Sequence, residues 1–167
     1  MAHQGNDGNI FDEYRIIKIN QGQEGQENFS DIDQQASLKN LIIRGAYDQV
    51  DALITEENFP STHGESLALP MLVCFCKKMS PMDAVNNLEK LSLRVVTPRE
   101  LLRIGFMLKV LPRHIFIVAP YERKTFLHLT GEYFPALSIS PHRRILRLYH
   151  WETILPENTF LCVKNKI

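Results

Sequence analysis

The sequence predicts an α+β fold, with two or three short helices followed by an antiparallel sheet. Three observations carry that prediction. Two helix starts of matching chemistry, Ser80-Pro81-Met82-Asp83 and Thr97-Pro98-Arg99-Glu100, stand 17 residues apart. In each, a hydroxyl caps, proline takes the first helical position, and a carboxylate lies three residues after the cap. After Pro112 the pattern changes to short β-branched and aromatic runs, separated by Pro120, Gly131, Pro135, Pro141 and Pro156. Their spacing of about ten residues suits an antiparallel sheet. Residues 88–119 join the two regimes in one stretch: the end of one helix, a connector, the capped second helix, a turn, and a core strand at 115–118.

Taken in order, residues 1–36 are poor in core-forming side chains. Runs such as MAHQGNDGN and NQGQEGQENFSDIDQQ read as a low-order segment. Within it, Tyr14-Arg15-Ile16-Ile17-Lys18-Ile19 has a strand-like composition and reads as an edge strand or a short tether. Residues 37–167 form a single α+β domain. Ser37 caps a helix over 38–44 whose stripe is Leu38, Leu41 and Ile42, with Gly45 in the left-handed position after its end. Tyr47, Val50, Leu53 and Ile54 suggest a further helical turn or two, and residues 58–64 a loop. Residues 67–78 read as a buried strand beginning at a kink or edge because of Pro70. Ala84, Val85, Leu88 and Leu91 stripe the helix after Ser80; Leu101, Leu102, Gly105 and Leu108 stripe the one after Thr97. Strands are then expected at 115–119, 125–129, 136–139, 145–151 and 159–164.

Hydrophobic content of 44% and charged content of 23% are ordinary for a globular domain. The longest apolar run, residues 67–76, is broken by Pro70 and is half of what a membrane span needs. No basic-then-apolar start is visible, so the expected compartment is the cytoplasm. Net charge is zero but unevenly placed: residues 1–70 hold 12 acidic and 4 basic side chains, residues 71–167 hold 7 and 15. The halves either soften each other's field or leave the C-terminal half to meet an anionic partner. Three cysteines make no closed disulfide set. Cys74 and Cys76, two apart in the expected strand, would share a face, and a metal site there would need Cys162 and His63 as well.

Five pieces occur in a recognisable order: Gly45-Ala46-Tyr47-Asp48, Asn58-Phe59-Pro60, Val96-Thr97-Pro98-Arg99-Glu100-Leu101-Leu102, Ile117-Val118-Ala119, and Phe160-Leu161-Cys162-Val163-Lys164. In this the chain resembles a family of uncharacterised proteins of ultra-small candidate-phylum bacteria. The helix start and closing strand are also similar to C-type-lectin-like folds. Those include relatives of the formylglycine-generating enzyme and the variable proteins of diversity-generating retroelements. That resemblance implies a scaffold that presents a sheet and its loops to a ligand, or carries an enzyme. The chain departs from both patterns. It lacks the enzyme's metal-ligating and paired-cysteine signatures, and residues 142–158 are not rich in Asn, Ser and Tyr.

No nucleophile motif, glycine-rich phosphate loop or zinc-binding helix is present. The densest functional signal is Arg143, Arg144, Arg147, Tyr149, His150 and Trp151 within nine residues, with the chain's one tryptophan among them. Arg, Tyr and Trp are the types enriched at interface hot spots. In a strand, Arg143 and Arg147 would share a face with Ile145, Tyr149 and Trp151. Arg123 and Lys124 would extend the patch from a nearby loop. The expected function is non-enzymatic binding of a protein partner through the C-terminal sheet and loops. Nucleic acid or another anion is the alternative, and no cofactor is expected.

Overall fold

A computed structural model of the chain describes residues 14–18, 36–60, 71–108, 114–121, 124–125 and 131–165. In chain order the elements are β1 (Tyr14–Lys18), α1 (Leu38–Gly45), β2 (Gln49–Val50), β3 (Met71–Phe75), α2 (Pro81–Lys90), β4 (Leu93–Val95), α3 (Pro98–Met107), β5 (Ile115–Val118), β6 (Lys124–Thr125), β7 (Glu132–Ser140), β8 (Arg143–His150) and β9 (Phe160–Asn165). The α+β class is as expected: three helices accompany one mixed, mostly antiparallel sheet. Its strand order is β1-β3-β9-β5-β7-β8-β2, with β4 also on β9 and β6 also on β7. No helix among the described residues is long and apolar enough to cross a membrane.

The helix starts form through the local chemistry that the sequence spells out. Asn40 N–H donates to Ser37 Oγ at 3.2 Å, and Asp83 N–H donates to Ser80 Oγ at 3.1 Å. At α3 the box is reciprocal: Glu100 N–H donates to Thr97 Oγ1 (3.2 Å) and Thr97 N–H to Glu100 Oε2 (2.8 Å). Two orphan donors of the first turn are thereby satisfied.

Glu100 does more than close its own helix. Arg94 on β4 and Lys164 on β9 face each other across the ladder, and both reach this carboxylate. Arg94 donates from both terminal nitrogens, at 3.0 and 3.1 Å, and Lys164 Nζ donates at 2.8 Å. Glu100 is 2% exposed and Lys164 3%. Burial pushes the Glu100 carboxyl up, but the hydrogen bonds from Arg94, Lys164 and the Thr97 backbone outweigh it and hold the group below its ordinary range.

Several expectations are corrected. Two strand pairings, β5 with β9 and β2 with β8, are parallel. The stretch after Tyr47 is a short strand, because Asp48 N–H and Asp51 N–H donate to Arg144 O and Leu146 O, each at 2.9 Å. Ala46, not Gly45, takes the left-handed cap of α1, at φ 47°. Pro135 lies inside β7 rather than in a turn. Its carbonyl accepts from Ala119 N–H beyond the last β5 rung, where a missing N–H forfeits little. The strand at β3 ends at Phe75, so Cys74 is buried while Cys76, beyond it, is exposed. The connector before α3 is itself a strand, β4. Trp151 falls just past β8, in a turn. The segment at Tyr14–Lys18 is an edge strand on β3. The expectations for residues 1–13, 19–35, 61–70, 109–113 and 126–130 lie outside the described residues.

The buried apolar side chains form one cluster, in which Val73, Ala84, Val96, Leu101, Ile117, Leu137 and Val163 come from both helices and sheet. Thr97→Ala should cost about 1 kcal/mol through the lost cap, and Leu101→Ala about 2–5 kcal/mol, both read from urea melts. The acid limb of stability is also specified. Because Glu100 titrates below its ordinary value of 4.5 when folded, its contribution is complete above that pH and is lost as pH falls through the folded value. Glu100→Gln should therefore lower stability at pH 7 and flatten its decline as pH falls below the ordinary value of 4.5, measured as melting temperature against pH.

Candidate binding site

Alternation along β8 divides the side chains that the sequence singles out. Arg143, Ile145, Arg147 and Tyr149 point to one face, Arg144, Leu146, Leu148 and His150 to the other. Helices α1 and α3 lie against the second face.

Arg144 is built into that helical side. Its Nε donates to Gly45 O (2.9 Å), its Nη1 to Leu108 O (3.0 Å) and its Nη2 to Gly105 O. One guanidinium thus caps the C-terminal ends of two helices, where carbonyls lack partners and a positive charge is favoured. Its backbone N–H donates to Asp48 Oδ2 at 2.7 Å, and its guanidinium carbon lies 5.6 Å from the Tyr47 ring centre. Tyr47 is wedged between the same helices. A Cβ at Gly45 would come within 2.2 Å of its ring, and one at Gly105 within 2.0 Å of its hydroxyl. Burial drives the Tyr47 phenol well above its ordinary pKa, against the opposing pull of Arg144.

His150 stands edge-on to Tyr133 at 5.2 Å, and Glu152 N–H donates to its Nδ1 at 3.3 Å. Trp151 is only 6% exposed and meets Phe134 edge-on at 5.9 Å. Arg144 and Trp151 therefore support the sheet from within rather than standing on its surface, while His150 is partly exposed on the face opposite Tyr149. Lys124 lies in β6, opposite Tyr133, and Arg123 lies outside the described residues.

The remaining residues sit on an open face. Register places Phe116 of β5, Ser138 of β7 and Ile145 of β8 side by side, with Ala136 beside Arg147 and Phe134 beside Tyr149. The turn after β8 covers one end of this face through Trp151 on Phe134. Beside it lies a cleft of about 470 Å³ between His114, Phe116, Ser138 and Tyr149 and, on the same turn, Thr153 and residues 155–159. A smaller hollow shares Phe116, Ser138 and Tyr149 and runs on to Ile145 and Arg147. Phe116 and Tyr149 meet edge-on at 5.3 Å. Ile154, on the turn that walls the cleft, is 59% exposed, and Glu157 lines the same wall. Arg143 and Arg147 each donate from Nη2 to Gln49 Oε1, at 3.2 and 3.0 Å.

Arg143, Arg147 and Tyr149, singled out in the sequence, share this face with His114, Phe116, Ser138, Gln49 and the turn after β8, which the sequence does not single out. Those come from other strands, and their proximity depends on a register that no local pattern announces.

His114 Nε2 and Ser138 Oγ lie 2.8 Å apart. A hydroxyl beside an imidazole is part of a nucleophilic constellation, but no carboxylate among the described residues bonds the His114 ring to orient it. Burial, with Cys76 adding to it, pushes the Cys74 thiol up. Among the described residues no three His, Cys, Asp or Glu side chains converge as a metal-ligand set; His63 and the Cys162 side chain lie outside them. Comparison with protein-family models, curated proteins and solved structures returns no match.

Arg144→Ala leaves three helix-end carbonyls without their donor and should cost about 2–4 kcal/mol, whereas Arg143→Ala, on the surface, should stay within about 0.5 kcal/mol. Gly105→Ala should cost about 1–3 kcal/mol by overpacking. Combining it with Tyr47→Phe, which removes the clashing hydroxyl, should cost less than the two single changes added together. Chemical denaturation of the five variants, the Tyr47→Phe single among them, measures all of this.

Proposed function

We propose that the protein is a non-enzymatic binding module that engages a protein partner along the open face of β5, β7 and β8. The observation that carries this reading is the continuous cleft and hollow floored by the Phe116–Tyr149 pair and ending at Arg147. Partly buried aromatic rings beside an arginine are the composition of an interface centre. The exposed Ile154, between the cleft-lining Thr153 and Leu155, adds apolar surface for a polypeptide to cover. Glu157 in the same wall favours a protein over nucleic acid, since it would repel a phosphate backbone. In this reading Arg144 and Trp151 hold the face in shape, while Arg143, Arg147 and Tyr149 make contact. A lectin-like parentage, and kinship with the candidate-phylum family, would suit a scaffold that offers one sheet face and its loops to a partner. A cytoplasmic setting goes with it, where Cys74 and Cys76 stay reduced.

The test is capture from lysate by the tagged protein, at low and high salt and with and without nuclease, using wild type, Arg147→Ala and Tyr149→Ala. A partner protein should be retained after nuclease and at high salt, and each substitution should weaken capture by about tenfold or more. Loss of all binding on nuclease treatment, or a steep decline with salt, would assign the face to nucleic acid. Capture indifferent to both substitutions would remove the open face from the function.

A further inference from the structure

We infer that Arg143 and Arg147, joined through Gln49, form a receptor for a phosphate monoester carried on a side chain of the partner; this rests on the open-face reading above. Both guanidiniums converge on one atom, Gln49 Oε1, from 3.2 and 3.0 Å. Their Nη2 nitrogens therefore lie no farther apart than the sum of those distances. Two like charges are held this close by a single neutral acceptor, and no carboxylate among the described residues bonds to either. Gln49 is placed there by the short parallel pairing of β2 with β8, which sets it opposite Ile145, between the two arginines. Both arginines are exposed, so their remaining N–H donors face outward.

The chemistry that answers this arrangement is a compact group with more than one negative charge and several acceptor oxygens. A phosphate monoester carries about −1.5 to −2 charges near pH 7 and three strong acceptors, so it can accept from both forks and balance both charges. A carboxylate brings a single charge and leaves one guanidinium uncompensated. Arginine's planar fork suits either oxyanion geometrically, so charge decides between them. The substituent on the phosphate would continue from Arg147 into the hollow lined by Ile145, Phe116 and Tyr149. That favours a phosphorylated side chain with carbon behind it over free phosphate.

The probe is phenyl phosphate, titrated at constant ionic strength against benzoate and inorganic phosphate, and followed through the arginine Nε–Hε signals in NMR spectra. Phenyl phosphate should shift the Arg143 and Arg147 signals saturably, leave Arg144 unmoved, and bind about tenfold or more tightly than benzoate. Inorganic phosphate should bind the same pair more weakly than phenyl phosphate. Arg143→Gln and Arg147→Gln should each weaken phenyl phosphate by about tenfold without lowering the melting temperature. Equal response to benzoate, shifts linear in concentration, or binding that survives both substitutions would overturn the assignment. Phosphatase treatment of the lysate before capture separates the two readings. If a partner that depends on Tyr149 is still captured, the phosphate site is wrong while the open face stands. If that partner is lost, both are supported. If nothing captured depends on Tyr149 or Arg147, the open-face reading fails, and the titration alone decides the arginine pair.

Discussion

The carboxylate of Glu100 stands where a helix start, a short strand and the central strand meet, and the positions of all three depend on it. It closes the first turn of α3 on Thr97, receives Arg94 from β4, and receives Lys164 from β9. A lone carboxylate so deep in the molecule would be strongly unfavourable, and so would a lone lysine. Each is tolerable because the other is there. Removing the carboxylate strands the buried Lys164, which is more damaging than the modest net value of the intact cluster suggests, whereas loss of one cation leaves Glu100 paired with the other. The same α3 uses its second residue, the buried Arg99, to bond Phe59 O and Ala36 O at 3.0 Å each and to pair with Glu56. Two consecutive charged residues thus fasten the helix start to opposite sides, one to the sheet and one to the loop around residue 56.

Strand β8 extends this economy to the far end of α3. Its even-numbered arginine is consumed in capping helices, and its odd-numbered arginines project from the opposite face. The strand is therefore a brace on one side and an exposed arginine-bearing surface on the other. The surface arginines flank Arg144, which is fixed by three helix-end carbonyls and by the Asp48 carboxylate. This also explains why Gly45 and Gly105 carry no side chain. The helices must approach closely enough for one guanidinium to reach both ends, and Tyr47 already fills the gap.

What the sequence made legible was whatever a few consecutive residues decide. Ser37, Ser80 and Thr97 cap helices because their hydroxyls bond an amide only three positions away, and that chemistry is complete in a tetrapeptide. The shared face of Arg143, Ile145, Arg147 and Tyr149 was legible from alternation alone. Alternation also separates Arg144 from its neighbours, a distinction hidden by treating the basic run as one patch. Trp151 is less tractable from sequence, because the large aromatic that anchors an interface also seals a core. The parallel partnership of β5 with β9, the capture of Gln49 by β8, and the meeting of His114 with Ser138 join residues tens of positions apart. Only the assembled sheet decides them.

The position of β9 has a consequence for how the chain comes together in time. Among the described residues the wing formed by β1 and β3 and the wing formed by β5, β7 and β8 share no ladder with each other; β9 lies between them and pairs with both. Until residues 160–165 leave the ribosome, β3 and β5 each present an unpaired edge of apolar strand to whatever is nearby. At synthesis rates of roughly 5–20 residues per second, the interval between the emergence of β3 and that of β9 lasts several seconds. During it, the nascent chain exposes two edges able to pair with a neighbouring chain. Strand β9 acts as a keystone, and this architecture gives a cell reason to shield the growing chain until it arrives.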